Sequence, residues 1–213
     1  MNQMWLFYNI RKARKIPEVK NTTVKMDNLV KKDYNNLLHL LEILATDVTY
    51  ILAPYDAIEN NVYLSVLISH KTKEILGWKL SMCNDTKLII DSFDAIKNKP
   101  VKAIVHFDYC TCYSSELFKE KINELNWIQS MSRVGNSLDN RVVEYWFSIL
   151  KSELIYKLNI KQMSFKKLEQ TIAEYIDYYN NVRIQEKLNW MTHHNIEINY
   201  NKKHEIWIFR LGH

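Results

Sequence analysis

A chain of 213 residues, 47% apolar and 25% charged, has the balance of a globular protein and the length for one well-packed domain with extensions. No apolar run approaches the roughly 20 residues that cross a bilayer, and Asn2, Gln3 and Asn9 interrupt the stretch where a secretory signal would need its apolar centre. A membrane protein is therefore not expected, and the cytoplasm is the expected compartment. Cys83, Cys110 and Cys112 are too few for a disulfide framework, and Cys110 and Cys112 with His106 lack a fourth ligand at zinc spacing.

The net charge of +5 is placed unevenly. Up to residue 33 the chain carries Arg11, Lys12, Arg14, Lys15, Lys20, Lys25, Lys31 and Lys32 against Glu18, Asp27 and Asp33, so the remaining residues are neutral overall. An arm of this kind suits contact with phosphates and release of their counterions, and it suits a solvated lysine-rich segment equally well.

Three glycines and three prolines leave room for long elements. β-branched, aromatic and leucine residues cluster over 45–55, 62–68 and 74–82, which predicts three consecutive strands in an antiparallel meander. Leu88, Ile89, Phe93 and Ile96 recur at helical spacing, and after Pro100 the short run 103–105 reads as a buried strand. Ser114 and Ser115 offer an N-cap for a helix over 116–125, with a further strand at 127–131. A polar loop over 132–140 opens onto a helix expected at 141–157, and a last helix is expected at 165–181. Three antiparallel strands followed by alternating helices and strands predict a mixed α/β sheet with helices on both faces, as in the ribonuclease H-like fold.

With 24 acidic residues, a pair at any given spacing means little. Position decides. Asp47 lies inside an apolar strand, where a carboxylate is costly unless it is paired or meets a cation. Asp108 follows the apolar run ending at Phe107, and Glu144 falls in the first turns of a helix rich in Val142, Val143, Trp146 and Phe147. Acids at a strand centre, a strand end and a helix can converge. Such a cluster repels itself until divalent cations neutralise it, and hard oxygen ligands select Mg2+ or Mn2+. Two such ions activate an attacking oxygen and stabilise a leaving one in phosphoryl transfer, so no nucleophilic side chain is needed. The competing reading of each acid alone is a helix cap or a surface ion pair.

Several linked segments then carry a resemblance over about residues 42–188. They are Ala45-Thr46-Asp47-Val48-Thr49-Tyr50, Gly77-Trp78, His106-Phe107-Asp108 with Tyr113, and Ser130-Met131-Ser132-Arg133-Val134-Gly135-Asn136. Asp139-Asn140 with Glu144, and Tyr178-Tyr179-Asn180-Asn181-Val182-Arg183, complete the set. In order and spacing this resembles insertion-sequence transposases whose catalytic region is a retroviral-type integrase core. The resemblance implies that Asp47, Asp108 and Glu144 form a DDE triad holding two Mg2+ or Mn2+ ions. It implies cleavage and transfer of DNA strands at element ends, with double-stranded DNA as partner and an assembly of several copies or with another transposase subunit. Arg11, Lys12, Arg14 and Lys15 in the arm, and Arg133, Asn136, Asn140 and Lys151 around the core, are the residues expected to meet DNA.

The domain division that follows is a basic arm over 1–41, the core over 42–188 and an atypical tail over 189–213. Gly135 offers mobility to the loop, Asp139 or Asn140 offers a cap to the helix bearing Glu144, and Lys151 lies one to two turns beyond Glu144 on that helix. His106 reads as a hydrogen-bonded structural histidine in preference to a phosphate contact. Tyr175, Tyr178 and Tyr179 read as core packing in preference to base stacking. Phe107 and Cys110 stand where relatives carry a small polar residue and a glycine, and the segment 189–194 departs from the family's pattern. The second reading is a truncated, non-catalytic remnant that binds DNA or an intact transposase. A nuclease acting on RNA–DNA hybrids is a third.

Overall fold

A computed structural model describes residue 29 and residues 42–108, 111–131, 140–185 and 190–192. Five strands form one sheet: β1 (Glu42–Leu52), β2 (Asn61–Ser69), β3 (Ile75–Ser81), β4 (Ala103–Phe107) and β5 (Ile128–Met131), in the order β3-β2-β1-β4-β5. β1 and β3 both run antiparallel to β2, whereas β4 runs parallel to β1 and β5 parallel to β4. The expected meander is present, and the sheet is mixed because β4 crosses over to the far side of β1.

Helix α1 (Thr86–Asp94) links β3 to β4, and a short 3-10 turn (Thr111–Ser114) with α2 (Glu116–Glu124) links β4 to β5. Helices α3 (Arg141–Glu153) and α4 (Phe165–Asn181) follow, separated by two further 3-10 turns. Each sheet face has its own core. Leu44, Leu67, Val105 and Phe107 meet Phe93, Phe118, Ile122 and Trp127 from α1, α2 and the loop before β5. Ala45, Ile51, Val66 and Ile68 meet Trp146, Leu150, Leu168 and Ile172 from α3 and α4. The period-two alternation of the strands divides the apolar side chains between these faces.

Local chemistry accounts for most boundaries. Asp85 accepts the Leu88 amide, Ser115 the Phe118 amide and Ser164 the Lys167 amide, which caps three helices. β1 ends at Leu52, short of the expected residue 55, because Pro54 has no amide to continue a ladder. At its other end β1 begins at Glu42, since 42–44 pair with 103–105 of β4. The helix expected over 141–157 stops at Glu153; Leu154 leaves the helical region, and the 3-10 turns that follow bury Ile155 and Ile160 in the core.

Gly77 explains how closely α1 approaches the sheet. A Cβ there would lie 2.3 Å from the Ser92 carbonyl oxygen and 2.8 Å from Ile96 Cγ1. Ser65 and Ser92 meet nearby through their hydroxyls at 2.9 Å, so small side chains line this crossing.

Candidate active site

The pairing of β1 with β4 positions two of the three acids. Thr46 lies opposite Phe107 at the end of the parallel ladder, so Asp47 and Asp108, the first residue past β4, each follow the last paired position, and their charges act on each other. Neighbouring strands lie about 4.8 Å apart. Both residues share the parity of Ala45 and His106, so both carboxylates belong to the sheet face covered by α3.

Helix α3 brings the third acid to that face. Val143, Trp146, Phe147 and Leu150 seat the helix in the core, whereas Glu144 is exposed. Asn140 precedes the helix, but its side chain makes no capping hydrogen bond, contrary to the expected role. The residue is fully buried, and its Nδ2 donates to the Thr46 carbonyl at 3.4 Å, which ties the start of α3 to the residue beside Asp47. Asn140 thus sits inside the protein rather than on the surface where a DNA contact was expected.

The electrostatics record the convergence. Burial, above all, pushes the Asp47 carboxyl up to about 7. The Val48 amide at 2.8 Å and Lys151 oppose that rise, while the charges of Asp108 and Glu144 add to it. Burial and then the Asp108 charge raise Glu144 above the usual carboxylate range, with Arg141 opposing. Burial lowers Lys151, and Asp47 opposes that shift. The Lys151 ammonium sits 5.1 Å from the Tyr50 ring centroid, a cation–π distance. Asp47, Asp108, Glu144 and Lys151 therefore share one electrostatic environment.

A divalent cation fits the chemistry of this group. All three acids offer hard oxygen donors, and Asp108 Oδ1 is buried without a hydrogen-bond partner among the described residues, a costly condition that a cation would relieve. Among the described residues, no three His, Cys, Asp or Glu side chains already stand as a ready-made metal cluster. Mutual repulsion of carboxylates is a physical reason for such a set to stay open until neutralised.

Other expected residues fall elsewhere. His106 is fully buried, with Nδ1 3.0 Å from the Ser130 hydroxyl, and its structural reading holds. Cys112 packs against the opposite core from the face that His106 shares, so the two do not approach as zinc ligands. Tyr175 and Tyr179 are buried, and the Tyr175 hydroxyl donates to Glu153 at 2.8 Å; Tyr178 is partly exposed. Phe107 is taken up by an aromatic cluster, stacked on Tyr113 at 4.7 Å and edge-on to Phe118 at 5.6 Å. Arg11, Lys12, Arg14, Lys15, Arg133 and Asn136, with Gly135, Asp139 and Cys110, lie outside the described residues. Sequence reasoning passed over Arg141 and Tyr50; the signal for Arg141 was its place one turn before Glu144 on the same helix.

Comparison with known proteins bears on the family and the fold. The model of the integrase core domain family matches residues 144–203. A transposase-like protein of Haemophilus influenzae (strain ATCC 51907 / DSM 11121 / KW20 / Rd) is 32% identical over 164 residues, 76% of this chain and 73% of that protein. The transposase for insertion sequence element IS904 of Lactococcus lactis subsp. lactis (strain IL1403) is 32% identical, over 68% of this chain and 56% of the relative. A protein named as the InsK transposase of element IS150 in Escherichia coli (strain K12) is 34% identical over 62% of this chain and 47% of its own length.

Among solved structures, the catalytic core domain of HTLV-2 integrase in complex with magnesium aligns with a TM-score of 0.54 at 19% identity, over 74% of this chain and 97% of that one. The core domain of BIV integrase aligns at 0.55 with 13% identity, over 78% and 97%. At such identities the likeness defines the fold, which is the ribonuclease H-like fold of integrase cores. The chain belongs to the insertion-sequence transposases that carry an integrase-type core domain. It spans about half the length of several curated relatives that it matches.

Proposed function

We propose that this chain carries out divalent-cation-dependent cleavage and transfer of DNA strands in transposition, with Asp47, Asp108 and Glu144 as its acidic triad. The observation that supports the reading is the register of β1 and β4, which ends one residue before Asp47 and Asp108, together with the mutual charge effects of Asp47, Asp108 and Glu144. Mg2+ or Mn2+, as two ions, would supply a Lewis acid for the scissile phosphate and an activated attacking oxygen. The three carboxylates would hold those ions. At Asp47, whose carboxyl is pushed up to about 7, occupation would be accompanied by proton loss near neutral pH. Lys151, held near Tyr50, supplies the nearby positive charge for a DNA phosphate.

Residues 42–188 form the catalytic core in this reading, and the arm over 1–41 contributes phosphate contacts through Arg11, Lys12, Arg14 and Lys15, as do Arg133 and Asn136 around the core. The partners are double-stranded DNA at element ends and target, with an assembly of copies or a further transposase subunit holding two ends. Solved structures of similar fold include a simian T-cell lymphotropic virus intasome and a dimeric HTLV-2 integrase core with magnesium, and these support that arrangement.

The test uses the purified chain, a labelled element-end duplex and Mg2+ or Mn2+. Nicked or joined strands are expected from the wild type and none from Asp108→Asn; equal product from both would overturn the reading. The lack of a ready-made cluster among the described residues favours a second reading, a non-catalytic DNA-binding remnant. That reading predicts DNA affinity that falls steeply with salt and does not respond to divalent cations.

A further inference from the structure

A cavity of about 660 Å3 opens beside Glu144, between the first turns of α3, the β2–β3 hairpin and the C-terminal end of α4. Its volume is within the roughly 300–1,000 Å3 of small-molecule sites. The wall is mostly apolar, including Ile68 and Val142, and its charged members are Lys73, Arg141 and Glu144. Tyr145, partly exposed next to Glu144, adds an aromatic ring.

Two independent features mark Lys73. Its φ is 61°, the left-handed region that glycine occupies readily and a lysine does not. The hairpin holds this strained residue next to an irregularity in the β2–β3 pairing, where Leu67 pairs with Gly77 and Ile68 with Ile75, so Leu76 is the extra residue. Its ammonium is half-buried and donates to the His70 carbonyl. Neither Lys73 nor Arg141 takes part in an ion pair among the described residues. The cavity thus gathers two cations that form no salt bridge among the described residues, the carboxylate of Glu144 on which Arg141 acts at longer range, an apolar wall and an accessible aromatic ring.

Those elements match a phosphate joined to a flat heterocycle. Cations in a partly desolvated wall hold a phosphodiester, and a tyrosine face stacks on any base. We propose that the cavity holds one unpaired nucleotide of a DNA strand, its phosphate at Lys73 and Arg141 and its base against Tyr145. The inference rests on the reading of the chain as a DNA-strand enzyme and adds where the strand next to the reacting phosphate is seated. Only an unpaired base fits, because a base within a duplex is stacked and cannot enter a cavity of this size.

The test measures binding by the full chain, in chelator, to fluorescent duplexes that differ only in one unpaired terminal nucleotide. The wild type should prefer the unpaired end by about tenfold, the scale of one charge-assisted contact. That preference should vanish in Lys73→Gly and in Tyr145→Ala. Lys73→Gly relieves the left-handed strain, so its thermal midpoint should be unchanged or higher, and lost binding cannot be put down to lost folding. A deoxynucleoside monophosphate should compete for the site where inorganic phosphate at equal concentration does not. Equal competition by phosphate, no preference in the wild type, or a preference that survives Lys73→Gly would each overturn the proposal. Because no metal or turnover is involved, a chain that prefers unpaired ends yet never cuts DNA would sink the catalytic reading alone.

Discussion

Asp47 gives the most direct physical test of the site. Burial is the main reason its carboxyl titrates near 7 rather than at the ordinary 3.8. A folded-state pKa above the unfolded one means that the folded chain keeps a proton that the unfolded chain gives up between those values. Stability is therefore lost as pH rises through the window from about 4 to 7, the reverse of a salt-bridged aspartate. A rise of about three units corresponds to a penalty on the order of 4 kcal/mol at pH 8. Asp47→Asn keeps the side chain's shape and an oxygen to accept the Val48 amide, which Asp47 Oδ1 does at 2.8 Å, but carries no charge. In the absence of metal the variant should be more stable than the wild type by about 4 kcal/mol at pH 8, and by less than about 1 kcal/mol at pH 4. For a chain of this size that is roughly 10 °C in Tm at pH 8. Thermal unfolding at both pH values, with and without Mn2+, measures it. Added cation should raise the wild-type midpoint at pH 8 and leave that of the variant in place. If the two proteins unfold together at pH 8, the carboxylate is not held at the energetic cost argued here, and the case for a site awaiting cations loses its electrostatic support.

Gly77→Ala should destabilise the fold by about 3 kcal/mol in urea unfolding, because the added methyl meets the backbone oxygen of Ser92 rather than a side chain that can rotate. Arg183→Ala should cost about 2 kcal/mol in the same assay, since Arg183 grips Glu153 through Nη2 at 2.7 Å and Nε at 3.2 Å; lysine should not restore it fully. Asn140→Ala should shift Tm by less than about 2 °C, because losing a long hydrogen bond is offset by removing a buried Oδ1 that has no partner among the described residues. Strand cleavage by that variant should nevertheless fall by about tenfold, as the helix carrying Glu144 loses its tie to β1.

Much of this architecture was legible because each element carries its own periodic signal. The β-branched runs gave β1 to β3, and Ser115 gave the cap of α2, whereas the Ser164 cap of α4 was passed over. The acids stood out because apolar sequence surrounds them. What the sequence left open is what depends on distant partners. Nothing local to Asp47 says that β1 pairs in parallel with β4, although that pairing determines Asp108 as its neighbour. The misjudged features have the same origin. Asn140 has the residue type of a cap, but the backbone before the helix, at φ −103° and ψ 11°, turns its amide toward Thr46 instead. The helical pattern continues past Glu153, yet Ile155 gains more by turning into the core than by extending α3. Lys73 has no sequence mark of its left-handed backbone, because lysine is not a residue chosen for that conformation.

The parallel ladder fixes the face to which β1 turns Asp47 and the point from which the chain runs on to Asp108. A one-residue slip of β1 against β4 would turn the Asp47 side chain to the other face and drive Leu44 out of its core, so the apolar pattern that stabilises the sheet also fixes the aspartate pair. Glu144 has no such constraint. It projects from the exposed side of α3, and its position relative to the aspartates follows from how Val143, Trp146 and Leu150 seat the helix and how Asn140 grips Thr46. Repulsion from Asp108 works against close approach and is relieved only when positive charge arrives. In the proposed function the sheet would supply Asp47 and its neighbour Asp108, the helix would supply Glu144, and cation and DNA phosphate would together offset the repulsion among them.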